Sequence, residues 1–303
     1  MSSSLTPTST PHAIPFNSRH LYAAADKCIY CGALVSDGKL GDEHIIPTSF
    51  GGNLILPRAS CRNCERITTK IKDHCLKGLL STARPHLGIR GRQRKSGLAR
   101  GPVYIEHAGR VETTSAHITQ HPGMLLMPLM PFPTAMLGQT APEQGDGPVA
   151  VRIAMRPMTS DVAERAAQFM RGGGKVTLTK GLSAIECYRF IAKIAHAFAC
   201  ATLGVDTFRP YLLNLIRGQQ PMFADHFVGS AMANDPRGKH LHELSFAPPI
   251  RLPFSEMIVV RVRLFSKLDM PTHYAVVGER ALPGFQMLVP PGAIAANVEA
   301  GLR

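Results

Sequence analysis

Between Ile185 and Leu203 the apolar positions leave almost no polar face: Ile185, Phe190, Ile191, Ile194, Ala195, Phe198 and Leu203 recur at helical spacing. That pattern predicts a core helix opening at Ser183 and ending near Gly204. Ser183 followed by Glu186 is a capping-box pair, in which each side chain satisfies a free backbone N–H. Asp161 to Met170 predicts a second helix, stopped by Gly172, Gly173 and Gly174, with a short strand from Lys175 to Thr179 after it. Asp206 to Ile216 predicts a third, stopped by Gly218. Strands are expected at Phe223 to Gly229, Leu241 to Phe246, Glu256 to Phe265 and His273 to Gly278. In the third of these, Arg261 and Arg263 alternate with Val260 and Val262, the mark of a sheet with one buried face. Earlier, Val103 to His107 and Arg110 to Thr114 flank the turn signal Ala108-Gly109 and predict a hairpin. Pro128 through Gly147 reads as a long loop, with Met124, Met127, Met130 and Met136 as packing residues. No internal repeat is visible, and this half reads as an α+β domain whose residues name no chemistry.

The first twenty residues are polar and rich in Ser and Pro, a disordered arm by composition. A Cys-rich unit follows from about Lys27 to Gly78, then a basic segment to Arg100, after which the pattern changes. The expected organisation is therefore an arm over 1–20, a first domain with a basic extension over 21–100, and an α+β domain over 101–303. At 303 residues and 45% hydrophobic content the chain can bury a sizeable core, which excludes wholesale disorder. Every apolar run falls short of the roughly 18 residues that span a bilayer, and no export signal opens the chain. A soluble, cytoplasmic protein without a membrane partner is expected.

Charge narrows the partner. Lys and Arg number 34 against 21 Asp and Glu, a net charge of +13, and a cationic surface gains affinity for phosphates by releasing their counterions. Between Asp73 and Glu106 there is no acidic residue, while Arg84, Arg90, Arg92, Arg94, Lys95 and Arg100 fall there. Arg presents a planar fork that suits phosphate oxygens, so this run is the expected nucleic-acid-binding segment.

Chemistry concentrates in the first domain. Two Cys-x-x-Cys pairs, Cys28 with Cys31 and Cys61 with Cys64, have the spacing of a four-thiolate tetrahedral zinc site. Disulfides are disfavoured without an export signal, and a redox pair would leave the other two cysteines idle. Cys75, Cys187 and Cys200 lack the neighbours of an activated nucleophile and read as small hydrophobes. His196, His226, His240 and His242 show no spacing with acidic partners and read as structural; His74 reads as solvated.

Between the cysteine pairs stands Gly41-Asp42-Glu43-His44-Ile45-Ile46-Pro47, followed by Gly51-Gly52. An imidazole titrates near neutrality, so His44 can take a proton from a water attacking phosphorus, and Glu43 offers a hard oxygen to a cation. Together with the paired cysteines, these residues resemble the HNH endonucleases, in the subclass whose ββα-metal fold is clamped by a four-cysteine zinc site. The resemblance covers roughly Cys28 to His74. It implies His44 as general base, Glu43 as ligand of a catalytic Mg²⁺ or Mn²⁺, and a second ligand just after the last cysteine, where Glu65 replaces the common His or Asn. The middle Asn of the family's name, which orients the base, has Leu56 and Pro57 at its place; Asn53 is the nearby candidate for that role.

The expected fold is thus α+β, a small zinc-stapled ββα-metal domain followed by a larger α+β domain. The expected function is metal-dependent hydrolysis of phosphodiesters in nucleic acid, with DNA as the substrate. The alternative is a zinc-knuckle protein that binds nucleic acid without cutting it. Oligomeric state is open.

Overall fold

The structure is a computed structural model. It describes residues 19–79, 87, 100–107, 110–117, 124–141, 152–158, 160–171, 183–219, 223–232 and 237–282. The expected strand at Lys175 to Thr179, the arm up to residue 18 and the basic run at Arg84, Arg90, Arg92, Arg94 and Lys95 lie outside these residues. Arg100 enters only as the first backbone position of a strand.

The chain is α+β. A three-stranded sheet opens it, in the order β1-β3-β2, with β1 (His20–Leu21), β2 (Leu40–His44) and β3 (Leu54–Cys61). β1 runs parallel to β3 and β2 antiparallel to it, and the helix α1 (Arg62–Leu79) leaves directly from the end of β3. Two hairpins follow: β4 (Arg100–His107) with β5 (Arg110–His117), as the turn signal predicts, and β6 (Met124–Leu129) with β7 (Arg152–Pro157). The start of the expected long loop is therefore partly strand, and Met127 and Met130 are buried in the core. Helix α2 (Ser160–Arg171) comes next, then α3 (Ala184–Leu203), the predicted core helix, closed by Gly204.

A six-stranded sheet completes the fold, with its main path β10 (His242–Phe246), β12 (Ser255–Leu264), β13 (Thr272–Ala281) and β8 (Arg209–Pro210). β9 (Val228–Ala231) adds to β13 and β11 (Ile250–Arg251) to β12. In β12 Val260, Val262 and Leu264 are buried while Arg261 and Arg263 lie on the other face, and Arg263 pairs with Glu243 across the ladder at 2.7 Å. Among the described residues no helix is long and apolar enough to cross a membrane.

Four expectations are corrected. The helix from Asp206 to Ile216 shrinks to α4 (Leu213–Arg217), because Pro210 has no N–H to give a helix and holds Arg209 extended, so the pair joins β13 as β8. Gly218, left-handed at φ 79°, does stop α4. The strand from Phe223 to Gly229 begins with one helical turn, α5 (Ala224–Phe227), and pairs with β13 only from Val228. That turn brings His226 Nδ1 to 2.7 Å from Thr134 Oγ1. The capping box does not form: Glu186 pairs instead with Arg189 at 2.5 Å, and the Ser183 N–H donates to His74 Nε2 at 3.0 Å. His74 is thus a tie between α1 and α3 rather than a solvated side chain.

The buried side chains of the ββα unit and of the later half form one contiguous core. α3 lies at its centre: Phe190 stacks on Phe50 with ring centroids 4.7 Å apart, and Cys75 on α1 meets α3 at the Glu186 carbonyl. β10 adds a polar tie, since His242 donates from Nε2 to the Phe50 carbonyl at 2.7 Å while its Nδ1 accepts the Phe265 N–H.

Buried histidines make this core acid-sensitive. Burial pulls His242 and His273 down to about 4, and His273 Nε2 donates to the Pro128 carbonyl at 3.0 Å. Each folded value lies below the unfolded value of about 6.5, so the unfolded chain takes up the proton first as pH falls. The stability they contribute is complete above about pH 6.5 and is lost on the way down toward pH 4. Between pH 6.5 and 5 each should cost on the order of 1.5 kcal/mol. Urea denaturation at both pH values checks this, and in His242→Gln the drop should shrink by that increment; an unchanged drop would contradict it.

Candidate active site and metal centre

The first cysteine pair sits on a tight turn. The Cys28 N–H donates to the Ala33 carbonyl and the Gly32 N–H to the Cys28 carbonyl, with Gly32 left-handed at φ 78° as the turn demands. The second pair uses the strand-to-helix junction: Cys61 ends β3 and Cys64 lies in the first turn of α1. Folding β3 beside the first turn brings all four Sγ atoms within 4.8 Å of one another, Cys31 and Cys61 at 3.6 Å. A tetrahedral ion with 2.3 Å bonds needs sulfurs about 3.8 Å apart, so the four thiols can hold a metal ion such as zinc. Within the cluster the Cys64 thiol interacts with Cys28, which lowers the Cys28 pKa and raises that of Cys64. His196 on α3 supports the knuckle from below, bonding the Ile29 carbonyl through Nε2 at 2.8 Å.

β2 carries Glu43 and His44. Its ladder to β3 slips between Gly41 and Glu43, and Asp42 is the residue turned outward, accepting the Arg58 N–H at 3.3 Å. Glu43 then faces the core and is 5% exposed, while His44, at the strand's end, is half-buried. The loop beyond is fixed by Gly51, left-handed at φ 86°, and by Gly52, where a Cβ would stand 2.0 Å from the Ile46 carbonyl oxygen.

Glu43 is not left alone in the core. Lys193 on α3, itself 4% exposed, places its ammonium 2.5 Å from Glu43 Oε1. The same ammonium donates to the carbonyls of His44 and Ile45, the latter at 3.0 Å. Burial lowers the Lys193 pKa, opposed by the Glu43 charge. Beside Glu43 stands the Tyr30 hydroxyl, raised well above its ordinary value by burial and then by the Glu43 charge.

His44 is held neutral. Burial lowers its pKa first and the Lys193 charge second, with Glu43 and Asp42 pulling the other way. Its Nδ1 is shut off from solvent without a hydrogen-bond partner.

Glu65 occupies the exposed first turn of α1, with Oε2 4.0 Å from where a Cβ on Gly41 would stand. Asn53 follows the Gly-Gly turn, and its backbone carbonyl accepts the His20 N–H at 3.0 Å, holding β1 in place. Among the described residues the four cysteines are the one set of three or more metal-ligating side chains whose donor atoms converge. Glu43 is paired with the Lys193 ammonium in this arrangement, while Glu65 stands exposed on α1. Sequence reasoning passed over Lys193, Tyr30 and the support from His196. The signal for Lys193 was present: a lone lysine inside the apolar run from Phe190 to Phe198 must either break the core or find an anion there.

Residues 28–80 match the family model described as HNH endonuclease. Comparison with curated proteins and with solved structures found no match.

Proposed function

We propose that this chain, whose residues 28–80 form an HNH endonuclease domain, hydrolyses phosphodiester bonds of DNA with His44 as general base. The observation that carries the reading is the placement of His44: a half-buried imidazole at a fixed strand end, its pKa lowered by burial below the usual histidine value. The β2–β3 ladder and the Lys193 bond to its carbonyl hold the backbone of His44, so the ring is positioned before substrate arrives. Nε2 takes the proton from the water as the water oxygen attacks phosphorus. The bond from phosphorus to the leaving oxygen breaks, that oxygen takes a proton from solvent, and the positive charge formed on the ring is stabilised by the Glu43 and Asp42 carboxylates nearby. A divalent Mg²⁺ or Mn²⁺, when bound, would supply charge to the phosphate and the leaving oxygen, and Glu43 and Glu65 are the carboxylates proposed for it. Asn53, next to the Gly-Gly turn, is proposed to help fix the loop that follows the base. Zinc on the four cysteines is proposed as the staple of the unit.

A second reading, binding without cleavage, is favoured by one observation: the engagement of Glu43 by Lys193. Turnover of bis(p-nitrophenyl) phosphate separates the two, since this substrate needs no nucleic-acid surface. Release of p-nitrophenolate that His44→Ala abolishes supports the hydrolase. A salt-dependent gel shift of DNA with no turnover supports the binder.

Binding itself has a described candidate surface besides the run from Arg84 to Arg100. Arg62, Arg66 and Lys70 are all exposed on α1, four residues or about 6 Å apart along its axis. Replacing the three with Ala should reduce the slope of log affinity against log salt by about 2 to 3, as loss of three phosphate contacts requires. An unchanged slope would place the contacts elsewhere.

A further inference from the structure

Lys193 ends in a cage of oxygens. Its ammonium has three N–H groups and three acceptors: Glu43 Oε1 at 2.5 Å, the Ile45 carbonyl at 3.0 Å and the His44 carbonyl. One carboxylate and two backbone carbonyls are hard oxygen donors, the kind that surround a hard cation. The cage is deep, with Lys193 and Glu43 only 4% and 5% exposed. It is built from two distant parts of the chain: strand β2 and its following loop supply the oxygens, and α3 supplies the charge. On its rim, His44 keeps its Nδ1 buried without a hydrogen-bond partner.

We propose that Lys193 is the resident cation of this cage and competes with a divalent ion for Glu43. The inference rests on the reading of Glu43 as a carboxylate of the reaction centre. In the protein without nucleic acid the ammonium holds Glu43, and an ion reaches that carboxylate only when α3 gives up the contact. The charge balance is local: a divalent ion beside the ammonium would leave three positive charges against one carboxylate in a buried site, so the two exclude each other. Lys193 is in this sense a positioning residue. It fixes the backbone of His44 and sets the ion affinity of the carboxylate next to it, without touching the reacting atoms.

The test is Mn²⁺ binding to the full-length, zinc-loaded protein, read from the electron paramagnetic resonance of free Mn²⁺. The wild type, Glu43→Gln, Lys193→Met, Lys193→Gln and the double variant Lys193→Met/Glu43→Gln are compared. Lys193→Gln keeps an amide donor for the two carbonyls, so one folded variant remains if the methionine fails, as far-ultraviolet circular dichroism would reveal. Expected is a gain of one Mn²⁺ site, at least ten-fold tighter than any in the wild type, in the Lys193 variants. That gain should vanish in the double variant, and Glu43→Gln alone should leave wild-type binding within two-fold. Wild-type Mn²⁺ binding that falls ten-fold in Glu43→Gln would overturn the proposal. So would folded Lys193 variants that gain no site; if cleavage still required His44, the hydrolase reading would stand without it. Conversely, a gained site in a protein with no His44-dependent turnover would remove the hydrolase reading and leave the cage intact.

Discussion

His44→Ala is expected to lower the turnover of a phosphodiester by about 10² to 10⁴-fold with little change in substrate binding. The lost step is the uptake of a proton at Nε2. Lys193 and Arg19 act on His44 only as positive charges, and the Glu43 carboxylate is engaged by the Lys193 ammonium. The fold should survive, since the ring is only half-buried and Nδ1 makes no hydrogen bond. The pH profile gives an independent readout. His44 must be neutral to act, and its pKa lies below the usual histidine value, so activity should fall on the acid side below about pH 6.5 and stay level above it. In His44→Ala the residual activity should lose that acid limb. An acid limb that persists in the variant would assign the base to another group.

Removing the metal from the cysteine cluster should have the largest effect on stability. Structural zinc in small domains contributes roughly 10 kcal/mol or more of apparent binding free energy, comparable to the whole stability of a typical domain. Here the knuckle is not peripheral: Cys28, Ile29, Tyr30 and Cys64 are buried members of the core shared with α3. Cys64→Ser should therefore bind zinc below one equivalent and melt at least 10 °C lower, the shift expected of about 5 kcal/mol in a chain of this size. A chelator should reproduce that shift in the wild type and leave the variant nearly unmoved. Equal melting points, with no zinc found by elemental analysis, would return the four cysteines to ordinary thiols.

What could be read in the chain depends on how local the determining contacts are. The cysteine cluster was legible because two short spacings fix the ligand geometry, and the turn and strand-to-helix junction bring them together with few long-range decisions. Helix α3 was legible from its periodicity and its Gly204 stop. The hairpin of β4 and β5 was legible from its turn signal, and the alternation of β12 from its arginines. Illegible were contacts between residues more than a hundred positions apart. His74 reaches Ser183, His242 reaches Phe50, and Lys193 reaches Glu43. Each replaces a plausible local partner: Ser183 looked like a cap for its own helix until its N–H found His74. The failed helix at Asp206 was a local error, since Pro210 carried the warning in plain view. The role of Glu43 shows the difference most sharply. Its neighbours in sequence name a ligand, and its neighbour in space is an ammonium.

The measurement closest to the central claim is conversion of supercoiled plasmid to the nicked form by zinc-loaded protein, with Mg²⁺, with Mn²⁺ and with EDTA, beside His44→Ala prepared identically. Nicking that requires added divalent ion and disappears in the variant is the predicted result. Plasmid that is shifted on a gel yet remains intact, or nicking by the variant at the parent's rate, would contradict it.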